Sequence, residues 1–129
     1  MNRTLLVTGP CGAGKSMVAQ QALDYPGWAC RLYDGLNPDT DWSLPAHPLA
    51  VELVVIDHVG SAPVTDVQSL VAWCQANSVS LMLVEQSRVT LEQVVPSVKE
   101  ADELHMAGPG VAPKFMSGTT DGSFYLPVA

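Results

Sequence analysis

A chain of 129 residues, 47% of them hydrophobic, can bury one compact core but is too short for two ordinary domains. Thirteen acidic residues against six basic ones give a net charge of −7, which argues against direct nucleic-acid binding, because such binding neutralises phosphates with Lys and Arg. No run approaches the roughly 18 apolar residues of a membrane helix, and the first apolar run is too short for a signal peptide, so we expect a cytoplasmic protein without membrane insertion.

The first half of the chain predicts two strands and one helix around a glycine-rich loop. An apolar strand over residues 5–8 leads into the loop, and good helix formers over residues 15–24 predict a helix that Pro26 and Gly27 terminate. A second strand is predicted over residues 29–36. The prolines and acidic residues between 37 and 48 predict a loop.

The second half continues the alternation of strands and helices. The apolar run over residues 49–57 predicts a parallel strand that is covered on both faces. Thr65 and Gln68 have the spacing of a capping box and predict the start of a helix that ends near Asn77. Residues 80–84 predict another buried strand. A second capping box at Thr90 and Gln93 predicts a helix that Pro96 kinks or divides, before a fifth strand over residues 103–107.

The C-terminal residues 114–128 predict a β-hairpin, because Asp121 and Gly122 suit a tight turn between aromatic and apolar runs. Strands alternating with helices indicate an α/β fold with a mostly parallel sheet. We therefore predict a single domain over residues 1–129, with a core over 1–108 and a hairpin extension over 109–129.

The segment GPCGAGKS, residues 9–16, matches the pattern G-x-x-x-x-G-K-[ST] at every fixed position and is called the glycine loop below. Glycines let successive backbone N–H groups face a phosphate, and the helix that follows presents its positive end to the same anion. The predicted nucleotide-binding residues are Gly9, Pro10, Cys11, Gly12, Ala13, Gly14, Lys15 and Ser16. Lys15 would reach the β- and γ-phosphates, and the Ser16 hydroxyl would bind Mg²⁺.

Polar residues also follow the strands predicted to end at Asp57 and Val84. Asp57 ends a hydrophobic strand and offers the second oxygen ligand that Mg²⁺ needs, mainly through water. His58 follows it directly, and residues 85–88 form a polar cluster after the next strand. Because ligands bind at the carboxyl ends of parallel strands, we expect these clusters and the glycine loop to meet.

With these motifs the chain resembles the P-loop NTPase superfamily, specifically its additional-strand branch. Residues 80–106 are similar to the corresponding stretch of the FtsK and HerA group of motor ATPases, in which a strand ends in a Gln near an Arg. The resemblance implies a three-layer fold and ATP rather than GTP as the ligand. It also implies that Gln86 senses the γ-phosphate or orients water, and that Arg88 stabilises phosphate charge in its own or a neighbouring site.

One position departs from that family pattern. Residues 53–57 resemble the Walker B element of that branch, a hydrophobic strand that ends in an Asp, here Asp57. The branch usually has a Glu directly after this Asp, whereas this chain has His58. Hydrolysis needs a group that orients water in line with the γ-phosphate, and His58 or Glu85 is a candidate for that general base. The predicted catalytic residues are thus Lys15, His58, Glu85, Gln86 and Arg88, with Ser16 and Asp57 as metal ligands.

Two functions fit these residues. The first is a Mg²⁺-dependent ATPase subunit of an assembly of identical or different chains, with sites completed by a neighbour. The alternative is a nucleotide-gated interaction protein with little or no hydrolysis. A small-molecule kinase is disfavoured because the chain has only three arginines and no lid-sized insertion. A GTPase is disfavoured because no Asn-Lys-x-Asp motif is present to bind guanine.

Overall fold

The computed structural model describes residues 4–10, 12–98, 101–108, 112 and 114–116. Its strands are β1 (Thr4–Thr8), β2 (Cys30–Asp34), β3 (Leu53–Asp57), β4 (Ser80–Val84), β5 (Asp102–His105) and β6 (Lys114–Met116). Its α-helices are α1 (Lys15–Asp24), α2 (Val64–Ala76) and α3 (Arg88–Val94). Short 3₁₀ helices lie over Pro48–Ala50, Val59–Ser61 and Pro96–Val98. Among these helices, none combines the length and the apolar composition that crossing a bilayer requires.

The strands form one sheet in the order β2-β3-β4-β1-β5-β6. The first five strands are parallel, and β6 pairs antiparallel with β5. The prediction of an α/β fold with a mostly parallel sheet is therefore confirmed. Strand β4 lies between β1 and β3, so the carboxyl ends of these three strands are adjacent at one edge of the sheet.

Helices cover both faces of the sheet. Successive side chains of a strand point to opposite faces, and β1 illustrates the result: Leu6 belongs to a core cluster with residues of α2 and α3. Its neighbours Leu5 and Val7 pack with Ala19 and Ala22 of α1 on the other side. Strands β3 and β4 alternate in the same way. Burial on both faces explains why these strands read as continuous apolar runs.

Helix α2 does not begin with the predicted capping box. It starts at Val64 after Pro63, and no side chain caps its first turn, so Thr65 already lies inside the helix. The Gln68 amide instead donates to the backbone oxygen of Val94, at 2.8 Å. The polar side chain that suggested a cap is therefore used to join α2 to the end of α3.

Helix α3 also begins earlier than predicted. Ser87 caps it, because its Oγ accepts a hydrogen bond from the Val89 amide at 3.1 Å, and Thr90 lies within the first turn. The division at Pro96 is confirmed, since α3 ends at Val94 and a 3₁₀ helix starts at Pro96.

Three strand boundaries differ from the predicted ones. Strand β2 is shorter and ends at Asp34, and β3 begins only at Leu53, because Pro48 starts a 3₁₀ helix in the apolar run. Strand β5 covers Asp102–His105 rather than residues 103–107. Of the predicted hairpin, only β6 is described; its turn at residues 121–122 and its second arm lie outside the described residues.

Candidate functional site

A cleft of about 500 Å³ opens at the carboxyl ends of β1, β3 and β4. The glycine loop, the end of β3 and the end of β4 all contribute to it, so the three polar clusters meet as expected from the strand ends. The residues that line it are Gly12, Gly14, Lys15, Ser16, Met17, Leu36, Asp57, His58, Ser61, Val84, Glu85 and Gln86. Cys11 lies outside the described residues, and Arg88 does not line the cleft.

The glycine loop is packed closely against the strand ends beside it. Gly9 has a φ of 142°, and a Cβ at this position would collide with the backbone oxygen of Met106, which follows β5. The Gly9 amide donates to the backbone oxygen of Gln86 at 3.1 Å. Gly14 adopts a left-handed conformation with φ 95° and forms the start of α1. Glycine is required here because these backbone conformations and the close approach exclude a side chain.

Lys15 folds back onto the glycine loop. Its Nζ donates to the backbone oxygens of Gly9 and Pro10, at 2.7 and 2.8 Å. An ammonium has three donors, so these two bonds hold the charge over the loop and leave a third donor. The amino end of α1 adds its own partial positive charge at the same place. The loop therefore offers an anion a fixed cation together with helix N–H groups.

Ser16 and Asp57 face each other across the cleft. The Ser16 hydroxyl donates to Asp57 Oδ2 over a long 3.5 Å, and Asp57 is only 8% exposed. Burial raises the pKa of the Asp57 carboxyl above its ordinary value, and the neighbouring His58 offsets part of that rise. A cation at this carboxylate would compensate its buried charge.

These two oxygen ligands fit Mg²⁺, which prefers oxygen and keeps several waters. Within the described ranges, no three His, Cys, Asp or Glu side chains are grouped as a metal site of their own. Ser16 and Asp57 would therefore hold the ion together with water and the oxygens of a bound phosphate.

Glu85 joins the loop after β3 to the end of β4. Its Oε2 accepts a hydrogen bond from the Gly60 amide, and its Oε1 accepts one from the Gln86 amide at 2.7 Å. Both oxygens are thus engaged with backbone groups, although Glu85 lines the cleft. This geometry favours a positioning role for Glu85 over the role of general base, which was one of the two roles left open by the sequence.

We expect Glu85→Gln to lower the free energy of unfolding by about 1 kcal/mol, because a side-chain amide has one oxygen and leaves one of the two backbone N–H groups unpaired. Chemical denaturation measures the change, and hydrogen exchange at Gly60 and Gln86 locates it. Glu52→Gln is the matched control, since this carboxylate is exposed and accepts a long bond of 3.4 Å from the Ala29 amide. Equal stability and exchange in the two variants would show that the hydrogen bonds of Glu85 to the Gly60 and Gln86 amides do not stabilise the structure.

His58 follows β3 in a left-handed conformation, with φ 53° and ψ 52°. Its amide donates to Asp57 Oδ1 at 2.9 Å, and its ring Nδ1 lies 2.9 Å from Asp34 Oδ1 and 3.6 Å from Asp57 Oδ1. Asp34 ends β2 and pairs in register with Asp57. The sequence contains a signal for a strand end at Asp34, namely a carboxylate followed by Gly35. Because the predicted strand extended to residue 36, Asp34 was not recognised as a strand-end residue.

Arg88 is directed away from the cleft. Its guanidinium pairs with Glu103 at 3.1 Å and with Glu92 at 3.4 Å. Glu103 is only 5% exposed and also accepts a hydrogen bond from the Thr8 hydroxyl. A buried carboxylate needs such partners, so Arg88 has a structural role here. The structure does not bring it together with the predicted phosphate-binding residues.

Eight of the predicted site residues line one cleft, and they come from the glycine loop and the ends of β3 and β4. No protein-family model and no curated protein matches the chain. The function must therefore be inferred from the residues of the cleft and their contacts.

Proposed function

We propose that the chain is a Mg²⁺-dependent ATP-binding protein of the P-loop NTPase type, and that it acts as an ATPase subunit of a larger assembly. The observation that carries this proposal is the cleft in which Lys15 and the glycine loop face Asp57. The position of β4 between β1 and β3 supports the additional-strand branch. The preference for ATP depends on the resemblance of residues 80–106 to that branch.

The chain's own groups account for binding of the phosphates. Backbone N–H groups of the glycine loop and the amino end of α1 would hold the phosphate oxygens. Lys15 would exchange its bonds to the Gly9 and Pro10 oxygens for bonds to the β- and γ-phosphates. Ser16 and Asp57 would hold Mg²⁺, which when bound neutralises phosphate charge.

Gln86 extends from the end of β4 into the same cleft and is exposed. Its backbone is fixed on both sides, because its oxygen accepts from Gly9 and its amide donates to Glu85. The side-chain amide is therefore attached to a fixed stretch of backbone at the cleft, where a γ-phosphate sensor would have to lie. This arrangement supports the role of γ-phosphate sensor.

Two exposed apolar side chains at the cleft support a protein partner. Met17 and Leu36 line the cleft and are 68% and 60% exposed. A second copy or another protein that covers them would also close the cleft from water. Turnover per chain that rises with protein concentration would indicate sites shared between subunits.

The second candidate function is a nucleotide-gated interaction protein. The engagement of both Glu85 oxygens with backbone amides favours it, because one candidate base is then not available for hydrolysis. Tight nucleotide binding with background turnover at every protein concentration would select this function over the ATPase.

We expect Asp57→Asn to remove the effect of Mg²⁺ on ATP affinity, which in the wild type should be at least about 10-fold. Calorimetric titrations with Mg²⁺ and with EDTA measure the difference. Asp39→Asn, an exposed carboxylate outside the cleft, is the control and should keep the full effect. A wild-type affinity that does not respond to Mg²⁺ would refute the proposed metal site.

The same variant tests the buried charge. Because the pKa of Asp57 is raised in the folded chain, its ionised form opposes folding at pH values above that pKa. Asn removes this opposition and keeps an oxygen for the His58 amide. The free energy of unfolding of the ligand-free variant at neutral pH is therefore expected to be unchanged or higher, which separates loss of metal binding from loss of folding.

A further inference from the structure

We propose that Asp34 is a positioning residue that holds the His58 ring with its proton on Nδ1, so that Nε2 accepts a proton from the water that attacks the nucleotide. This inference rests on the proposed function and adds a residue that the family resemblance does not include. Asp34 belongs to β2, which the resemblance gives no role in catalysis.

Asp34 is itself fixed by contacts on both sides. Its Oδ1 accepts a hydrogen bond from the Leu36 amide at 3.0 Å, and its backbone oxygen accepts one from the Thr40 hydroxyl at 2.7 Å. The same Oδ1 lies 2.9 Å from His58 Nδ1. An ionised carboxylate only accepts hydrogen bonds, so this contact places a proton on Nδ1. When the ring carries a single proton, the lone pair is therefore on Nε2.

The backbone of His58 is held in a conformation that few side chains adopt. Among the described residues other than glycine, only His58 and Ser78 have a positive φ. A Cβ at Gly35 would collide with the His58 oxygen, so the turn after β2 packs directly against this peptide. Backbone strain of this kind concentrates at functional sites. The turn that carries Asp34 therefore also fixes the backbone of His58.

The other titratable groups that line the cleft are already engaged. Lys15 has no lone pair while it is charged, and Asp57 faces Ser16 as the proposed metal ligand. Glu85 uses both oxygens for backbone amides. Among the described cleft residues, His58 is thus the base with an unused acceptor atom.

The proposed step is hydrolysis. The water oxygen forms a bond to the γ-phosphorus while the bond from that phosphorus to the β–γ bridging oxygen breaks, and ADP leaves with the electron pair. The water proton passes to His58 Nε2 and then to solvent. The Asp34 carboxylate stabilises the positive charge that the ring carries in between and keeps its orientation, as a carboxylate does for histidine in other hydrolases.

The tautomer is measurable without nucleotide, by two-bond ¹⁵N–¹H correlation spectra of the three histidines in mildly alkaline buffer, where free imidazole is neutral. We expect His58 to be protonated on Nδ1 in the wild type and to shift towards Nε2 protonation in Asp34→Ala. His47 is the internal control, because its Nδ1 accepts from the Leu49 amide at 3.1 Å and must lack the proton in both proteins. A His58 ring protonated on Nε2 in the wild type would overturn the inference.

Measurements of ATP turnover test the second part of the proposal, that Asp34 supports catalysis through His58. Asp34→Ala should lower kcat for Mg²⁺–ATP by roughly 100-fold, the lower end of what general-base catalysis contributes, with nucleotide Kd within about twofold of wild type. Asp34→Asn keeps the shape of the side chain, but its amide N–H can face Nδ1 and favour the wrong tautomer, so kcat should stay well below that of the wild type. Wild-type kcat in Asp34→Asn would contradict the inference. Wild-type kcat in Asp34→Ala, or a wild type that binds nucleotide without turnover, would overturn the inference while leaving nucleotide binding intact. A wild type that binds no nucleotide would instead refute the proposed function, and this catalytic role with it.

Discussion

Lys15→Ala is expected to weaken the binding of Mg²⁺–ATP by roughly 100-fold or more. A charge-assisted hydrogen bond contributes about 1.5–3 kcal/mol, and Lys15 would make such bonds to two phosphate groups. In the structure its ammonium donates to the backbone oxygens of Gly9 and Pro10. Those oxygens can bond to water instead, so the variant should fold, and calorimetric titration can measure its affinity.

Arg31→Ala is the matched control for that prediction. It removes the same charge from β2, where the guanidinium lies 4.8 Å above the Tyr33 ring and 3.4 Å from Ser43. Its affinity for nucleotide should stay within about twofold of wild type, since surface charges away from a site have small effects. If Lys15→Ala and Arg31→Ala bind nucleotide equally well, the glycine loop does not bind the phosphates.

Gly9→Ala is expected to lower the free energy of unfolding by about 3 kcal/mol or more, because it adds a steric collision to backbone strain. The added Cβ would meet the Met106 backbone oxygen, which belongs to the chain and cannot rotate away as a side chain can. The φ of 142° adds to the cost. Urea denaturation measures the change.

Gly12→Ala separates the two causes. Gly12 also has a positive φ, 80°, but a Cβ there would have no atom within 4 Å. The free energy of unfolding of this variant should fall only by the cost of the backbone strain, about 1 kcal/mol. Similar losses in both variants would show that the close approach of the Met106 oxygen to Gly9 adds nothing to the cost of the substitution.

The sheet could be predicted from the sequence because its strands are covered on both faces. Continuous apolar runs such as residues 53–56 and 81–84 are typical of strands that are buried on both faces. All four residues of each run are buried in the structure. The turn of the glycine loop was also predictable, since Gly9, Gly12 and Gly14 all adopt a positive φ that favours glycine. Strong local constraints therefore located the cleft.

Contacts between distant segments could not be predicted in the same way. The Asp34–His58 pair depends on the register of β2 against β3, which becomes visible only when both strands are placed. One partner of Arg88 is Glu103, 15 residues further along the chain, and the burial of that carboxylate was not visible from the sequence. Likewise, Ser87 and Thr90 both suit an N-cap chemically, so their side chains alone do not show which of them caps α3. Ser87 is the cap in the structure because the chain enters the helix at that residue.

The central claim is that this cleft binds a Mg²⁺-bound nucleotide, and calorimetric titration of the wild-type chain with a non-hydrolysable ATP analogue tests it most directly. We predict saturable binding to one site per chain, with a Kd between roughly 1 μM and 1 mM, the range in which the KM values of enzymes usually fall. EDTA and Lys15→Ala should each weaken it strongly. Absence of saturable binding to the folded chain in the presence of Mg²⁺ would contradict the account.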